Sequence, residues 1–509
     1  MEMHLNQISI RTEQPRGICR SQLTVEGDVT IPGSLRETTH VLHAGAMAVI
    51  ESAEAMQDRI SASGRVIFRV LYTQGESAHV HSIEASADFT HMCELAGAAP
   101  RADVYARAQV EHVDASVQNG RMSMRAILRL YARATESVEL DVLTGVDIPG
   151  AERKTAEITF RRTTAQGTGD VLLREEFTLP AELAVHDTLG AWATAEFFDT
   201  AGGQGRVGIS GEVTLEAMHA SDLPGKPIVL TRHTIPVSQS VEISGEIDDL
   251  VDGRLIVKDV AVASQDLGDG ERMLRAEVLL GLSAWSEKEE RVEVLTDAYT
   301  TQGDALRLNG ASVTMRTGAN RMYAAESGKG SLLLPEGAKP IRTMLAAFAL
   351  PVMTSFLQQG NRLITEGIME TTLMYMSGDS DVPVSVQLEA PFRVSFAANA
   401  APEDFVVLTA GNVEAVPITS DRAELRYILH AEIDGVKTED YTLIVEAMTV
   451  PSEKTTQDII LYFTQPGENA WDIAKRYRIS EQELRLLNPD LTGTPKTGQG
   501  VIVWRRSAI

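Results

Sequence analysis

The chain is short of cysteine, of basic residues and of long apolar runs, and each shortage excludes a class of protein. Only Cys19 and Cys93 occur in 509 residues. A secreted scaffold held by disulfides carries more, so a reducing compartment fits better, with a single bridge between the two left open. Lys and Arg number 46 against 71 Asp and Glu, a formal net charge of −25. Phosphate recognition and adhesion to an anionic bilayer both need clustered cations, so the composition argues against nucleic acid and against a membrane surface as partners. The longest apolar run, Leu345–Met353, has nine residues and contains Pro351. A spanning helix needs about 20, so no integral membrane segment is expected. The N-terminal residues show no basic start followed by an apolar core. No export signal is expected, and the chain reads as soluble and cytoplasmic.

Motifs of chemistry are equally scarce. There is no G-x-x-x-x-G-K-[ST] phosphate loop, since Gly328-Lys329-Gly330-Ser331 lacks the leading glycine and reads as linker. No G-x-S-x-G elbow, no H-E-x-x-H and no cysteine pair at metal spacing occurs. His79 and His81, with His91 further on, read as solvated or structural histidines. Asp248-Asp249 and Asp252-Gly253 miss the calcium-loop spacing and read as polar turns. Glu287–Glu290 reads as a charged hairpin turn. The expectation is a non-enzymatic chain with no catalytic residue, no cofactor and no metal.

What the chain does have is a short stretch that occurs three times. It reads ISIRT at Ile8–Thr12, ITFRRT at Ile158–Thr163 and VTMRT at Val313–Thr317. Pro32, Pro180 and Pro335 follow the first residues by 24, 22 and 22 positions, and the copies start 150 and 155 residues apart. In each copy a central glycine (Gly64, Gly211, Gly367) leads into two strand-like runs around a polar turn. A later pair of runs starts at Met122, Arg272 and Ala423. Periods of this size indicate tandem domains, expected at 1–154, 155–309 and 310–451, with a last unit at 457–509. Alternation as in Val66–Tyr72 and Val104–Val110 predicts half-buried strands, and Asn119-Gly120 predicts a tight hairpin. Short strands at a spacing of about 8–12 residues point to antiparallel sandwich or barrel domains, whose exposed edges would permit β-addition between molecules. Ala46–Asp58 is left open between helix and strand.

After the polar stretch Ser452–Asp458 the character changes. Ile459–Thr464 reads as a strand and Gln465-Pro466-Gly467 as a turn. Asn469 caps a helix from Ala470 to Tyr477, and Ser480 with Glu483 opens a second helix to about Leu487. Asn488-Pro489 stops it, and Val501–Trp504 closes the unit, giving the order β-α-α-β.

This unit resembles a LysM domain in its QPGE turn (Gln465–Glu468), WDIAKRY (Trp471–Tyr477), ISEQEL (Ile479–Leu484), LLNPDL (Leu486–Leu491) and TGQGVIV (Thr497–Val503). The resemblance implies binding of N-acetylglucosamine glycans such as peptidoglycan, in a groove between Gly467, Glu468, Asn469, Ala470 and Asn488, Pro489, Asp490, Leu491. The turn departs from the usual G-D-T/S-L, and the closing strand ends in Val503-Trp504-Arg505-Arg506 rather than Ile-Pro. An exposed Trp beside two Arg suits a protein interface, where both are enriched among hot spots. Trp471 reads as core; for Trp504 core and interface stay open. The three upstream copies resemble SPOCS domains of spore-coat and spore-cortex proteins. Three of these followed by one LysM is the arrangement of the SipL-type spore morphogenetic family. That resemblance implies a protein of the spore coat on the mother-cell side of the forespore surface. It also implies docking through LysM on the coat-basement protein SpoIVA, with other spore-coat proteins as further partners. The fold class expected is mainly β: three tandem β-sandwich or barrel-like SPOCS-type domains, then a small β-α-α-β LysM domain.

Overall fold

Alternating burial runs much further along the chain than its turn-forming residues suggest. In the computed structural model, which describes residues 3–33, 38–378, 380–452, 458–491 and 493–505, 78% of the chain is strand and 4% helix. The first six strands are β1 (His4–Thr30), β2 (Thr39–Met56), β3 (Arg59–Gln74), β4 (Val80–Glu94), β5 (Asp103–Gln118) and β6 (Arg121–Asp147). They form two antiparallel sheets, β1-β6-β5 and β2-β3-β4. The arrangement recurs in β7 (Ala151–Leu179), β8 (Val185–Gly202), β9 (Arg206–Leu223), β10 (Lys226–Glu242), β12 (Leu250–Gly268) and β13 (Glu271–Thr300), with a two-residue β11 (Ser244–Gly245) added at the β7 edge. It recurs again in β14 (Ala305–Leu333), β15 (Ile341–Gln359), β16 (Arg362–Ser377), β17 (Pro383–Phe396), β18 (Phe405–Thr419) and β19 (Arg422–Val450). The C-terminal unit is β20 (Asp458–Phe463), α1 (Ala470–Tyr477), α2 (Glu481–Leu487) and β21 (Gly500–Arg505).

Several local expectations are corrected. The first and last strands of each repeat are 27 to 30 residues long, not short. Some residues read as turns lie inside strands, and at Glu287 a register shift absorbs the irregular position without breaking the ladder. Glu287–Glu290 sits in mid-β13, Gly328–Ser331 in β14 and Asp252-Gly253 in β12. Ala46–Asp58 is mostly strand β2, where alternation overrides the helix propensity of its alanines. Asn119-Gly120 does form the β5–β6 hairpin, with φ of 51° and 72° as a type I′ turn requires.

The three central glycines share one role. Gly64, Gly211 and Gly367 pair with Ile50, Phe197 and Met353, where β2, β8 and β15 each shift register. A Cβ there would lie 2.0, 2.4 and 2.2 Å from the carbonyl oxygens of Val49, Glu196 and Val352. Glycine lets the bulged strand press onto its neighbour.

The repeated N-terminal motif is out of step in its first copy. The buried pairs Val142-Leu143, Val294-Leu295 and Leu443-Ile444 are equivalent positions of β6, β13 and β19. Two residues back, their neighbours Leu140, Val292 and Tyr441 pair with Ile10, Ile158 and Val313. Ile10, not Ile8, therefore matches the other copies, and the distance to the proline becomes 22 residues in all three. A two-residue slip keeps every side chain on its own face, so a period-two pattern cannot reveal it.

The repeats close into a ring. β4 lies against β8, β10 against β15 and β17 against β2, so each repeat meets the next through the same pair of strands until the first is reached. At one pole Ile10, Val142, Ile158, Phe160, Val294, Val313, Met315 and Leu443 form a shared core. At the other, Leu42, Leu71, Leu189, Met218, Ala346 and Met374 do the same. A cavity of about 1680 Å³ between them is lined by all three repeats. Within the three repeats, among the described residues, the sheet edges are flanked by other strands: β5 runs beside β2, β12 beside β8 and β18 beside β15, and these edges line the cavity. At the opposite edges β1 lies beside β4, β7 beside β10 and β14 beside β17. The two cysteines, on β1 and β4, are joined by a disulfide within the buried core of the first repeat.

Candidate functional site on the C-terminal unit

The polar residues of the two turns are largely spent on building the unit itself. Asn469 caps α1 by accepting from the Asp472 N–H at 3.0 Å, while the Asp472 carboxylate accepts from the Asn469 N–H. The Glu468 carboxylate accepts from the Tyr462 hydroxyl and the Gln465 N–H and pairs with Arg476. Burial acts to raise the Glu468 carboxyl, but these partners together hold it below the usual range. Asn488 donates to the carbonyls of Leu484 and Ile502 and accepts from the Ile502 N–H at 2.7 Å, tying α2 to the closing strand. Ala470 and Leu491 are buried in the unit's core with Trp471, Ile473, Leu484, Val501 and Val503. The two turns thus meet in one core, and Gly467, Pro489 and Asp490 remain exposed.

The sheet β20–β21 is apolar on both faces. Ile460, Tyr462, Val501 and Val503 point into the core. On the other side Ile459 stands opposite Trp504 and Leu461 opposite Ile502, with Phe463 at the end of the row. Their exposures are 77%, 41%, 60%, 44% and 56% in that order. A half-solvated antiparallel sheet ordinarily turns polar residues outward, and contiguous exposed apolar surface marks an interaction site. Of these five residues the sequence motif singled out Trp504 alone. The signal for the others was present: ILYF and VIVW are continuous apolar runs, and a two-stranded sheet on a unit of this size buries one face. Arg506 lies outside the described residues.

The helical side of the unit is packed on the second repeat. The Trp471 indole N–H donates to the Asp297 carboxylate at 2.8 Å, and Lys475 pairs with the same group. The Tyr299 ring meets Trp471 edge-on with centroids 4.9 Å apart, and its hydroxyl donates to the Ile479 carbonyl at 2.8 Å. Burial, then the charges of Glu152, Glu481 and Asp297, push the Tyr299 phenol up, which keeps it a donor. Arg478 donates to the carbonyls of Thr300 and Gly303. Trp471 is therefore core, at the boundary between two units.

The histidines singled out in the sequence each have a different ring or hydroxyl neighbour. His79 contacts His186 edge-on, His81 lies beside Tyr72, and His91 shares a hydrogen bond with Ser21. Among the described residues no group of three or more His, Cys, Asp or Glu is placed to hold a metal, and no helix is long and apolar enough to cross a membrane.

Comparison with known families gives two matches. Residues 38–118, spanning β2 to β5, match the family described as SipL, SPOCS domain, and residues 462–504 match the LysM domain. Both are non-catalytic binding domains. No curated protein and no solved structure matches the chain.

Proposed function

We propose a docking role for this chain, which is a SipL-like, sporulation-associated protein with a LysM binding module. In this reading it is a non-enzymatic spore-coat morphogenetic scaffold on the mother-cell side of the forespore surface. It docks on the coat-basement protein SpoIVA through the LysM unit, and the ring of repeats offers acidic surface to other coat proteins. The observation that carries the reading is the outward apolar row Ile459, Leu461, Phe463, Ile502 and Trp504. Glycan grooves work through a few placed polar groups, and Glu468, Asn469 and Asn488 are already committed to internal partners. A row of aliphatic and aromatic side chains suits a protein surface instead.

The LysM match also supports a second reading, binding of peptidoglycan through the groove between the two turns. Pull-down of the full-length chain on SpoIVA from the same organism and on purified peptidoglycan separates the two. The expected result is capture on SpoIVA, weakened at least about tenfold by Trp504→Ala and abolished by Leu461→Asp, as for hot-spot truncation. Capture on peptidoglycan that survives both substitutions, with SpoIVA ignored, would replace the first reading with the second. Capture on neither overturns both.

A further inference from the structure

The three repeats are not equivalent in what their tips carry. Counting from Val142, Val294 and Leu443, the position of Asp297 is occupied by Gly145 in the first repeat and Glu446 in the third. The position of Tyr299 is occupied by Asp147 and Met448. Only the second repeat combines a carboxylate with an aromatic ring carrying a donor. The LysM unit follows the third repeat in the chain, yet its contacts are with the second.

We infer that the LysM unit is a fixed part of the ring, locked to the tip of the second repeat by Asp297 and Tyr299, and that this lock sets the direction in which its apolar sheet face points. Three residues make the lock, Asp297 and Tyr299 on the second repeat and Arg478 on the LysM unit. Asp297 takes the indole N–H of Trp471 and the ammonium of Lys475, so one carboxylate orients two consecutive turns of α1. The Tyr299 ring fills the space against Trp471 and is counted in the core of the LysM unit. Its hydroxyl caps the Ile479 carbonyl between α1 and α2. Arg478 holds the carbonyl that ends β13 and one just beyond it. A tethered domain would bury none of these, and unpaired buried partners would oppose opening. The apolar row lies on the side of the sheet away from the helices, so the lock leaves it uncovered. Asp297 and Tyr299 act as positioning residues for whatever docks there.

The significance of the lock for docking rests on the reading above, but its existence does not, and the test is made on the free full-length chain. Amide hydrogen exchange is compared in the wild type, Asp297→Ala and Arg478→Ala. In the wild type, the amides of 473–479, bonded within and just after α1, are expected to exchange slowly. Asp297→Ala should speed their exchange at least about tenfold, the factor that one lost charge-assisted bond represents, while β20 and β21 keep their protection. Arg478→Ala, which leaves the Asp297 contacts in place, should accelerate 477–479 more than 473–475. Unchanged exchange at 473–479 in Asp297→Ala would overturn the lock. So would fast exchange there in the wild type. General loss of protection across the LysM unit in both variants would show the contact to be needed for folding and would equally overturn a positioning role. Failure of SpoIVA capture, with the exchange pattern as expected, would sink the docking reading and leave the lock standing.

Discussion

Glu13 and Arg316 stand at the same position of β1 and β14 and meet across the ring at 2.7 Å. Each lies three residues after the matched Ile10 and Val313; the third equivalent is Arg161. The pattern repeats elsewhere. Arg133, Trp285 and Asp434 are equivalent in β6, β13 and β19. Asp434 pairs with Arg133, Arg254 and Arg321, and Arg321 lies over the Trp285 ring. At the other pole the equivalent residues are Gly45, Trp192 and Phe348, and a Cβ on Gly45 would come within 3.6 Å of the Trp192 indole nitrogen. Three identical charges or three large rings at one level would repel or collide. The copies differ at these levels so that they complement one another, which orders them as first, second and third.

The Glu13–Arg316 pair should therefore behave as a clasp between the first and third repeats. Both side chains are mostly buried, and Arg316 also pairs with Glu287. Removing one member of a buried pair strands a charge and is expected to cost about 3–5 kcal/mol. In a double-mutant cycle by chemical denaturation, Glu13→Gln and Arg316→Gln should each destabilise, with a coupling of about 0.5–3 kcal/mol. Strict additivity would show that the pair is not a unit.

Gly64→Ala, Gly211→Ala and Gly367→Ala should each destabilise by more than about 3 kcal/mol or prevent folding, because backbone must move to admit the methyl group. Gly169→Ala is the control, since nothing lies within 4 Å of its Cβ position. It should stay within about 1 kcal/mol of wild type. Thermal melts of the four variants check this.

His219 links stability to pH. It is fully buried on β9, with ring nitrogens 3.0 and 2.8 Å from the hydroxyls of Thr188 and Thr231. Burial, aided by His233, lowers its pKa from 6.5 to about 4. The folded value is the lower one, so the unfolded chain takes up the proton first. The stabilising contribution is full above pH 6.5 and is lost as pH falls toward 4. At pH 4.5 the loss should reach about 2–3 kcal/mol. His219→Gln should lose correspondingly less between pH 7 and pH 4.5, read as the difference between the two proteins' denaturation curves.

The Cys19–Cys93 bridge closes 74 residues of chain. Loop-closure entropy of that size corresponds to about 4 kcal/mol. The double variant Cys19→Ala/Cys93→Ala should fall in denaturation midpoint accordingly. Wild type exposed to a thiol reagent without reductant should show no labelling, folded or unfolded, because both sulfurs are held in the bridge. An unchanged midpoint in the variant would mean that the bridge contributes nothing.

Much of the local structure was legible in the residues. Alternation marks the strands, Asn119-Gly120 marks a hairpin, and Asn469 and Ser480 mark two helix starts, all through contacts a few residues long. The same signals misled at Asp252-Gly253 and Glu287–Glu290, because a polar pair says nothing of a partner elsewhere in the chain. Asp252 meets Arg321, and Glu287 meets Arg316. In the LysM unit the turn residues were legible as a group. Their division into core, cap and exposed positions was not.

By itself the sequence determined the mainly β class, the recurring strand pattern and the β-α-α-β order at the end, since period and turn chemistry are local properties. Only the tertiary structure decided the two-residue correction of the first motif, the closure of the ring, the complementary levels within it and the seat of Trp471 on Asp297. Each of these joins residues far apart in the chain. Whether two such residues face each other depends on register and on the packing of whole repeats, which a period-two pattern leaves undetermined.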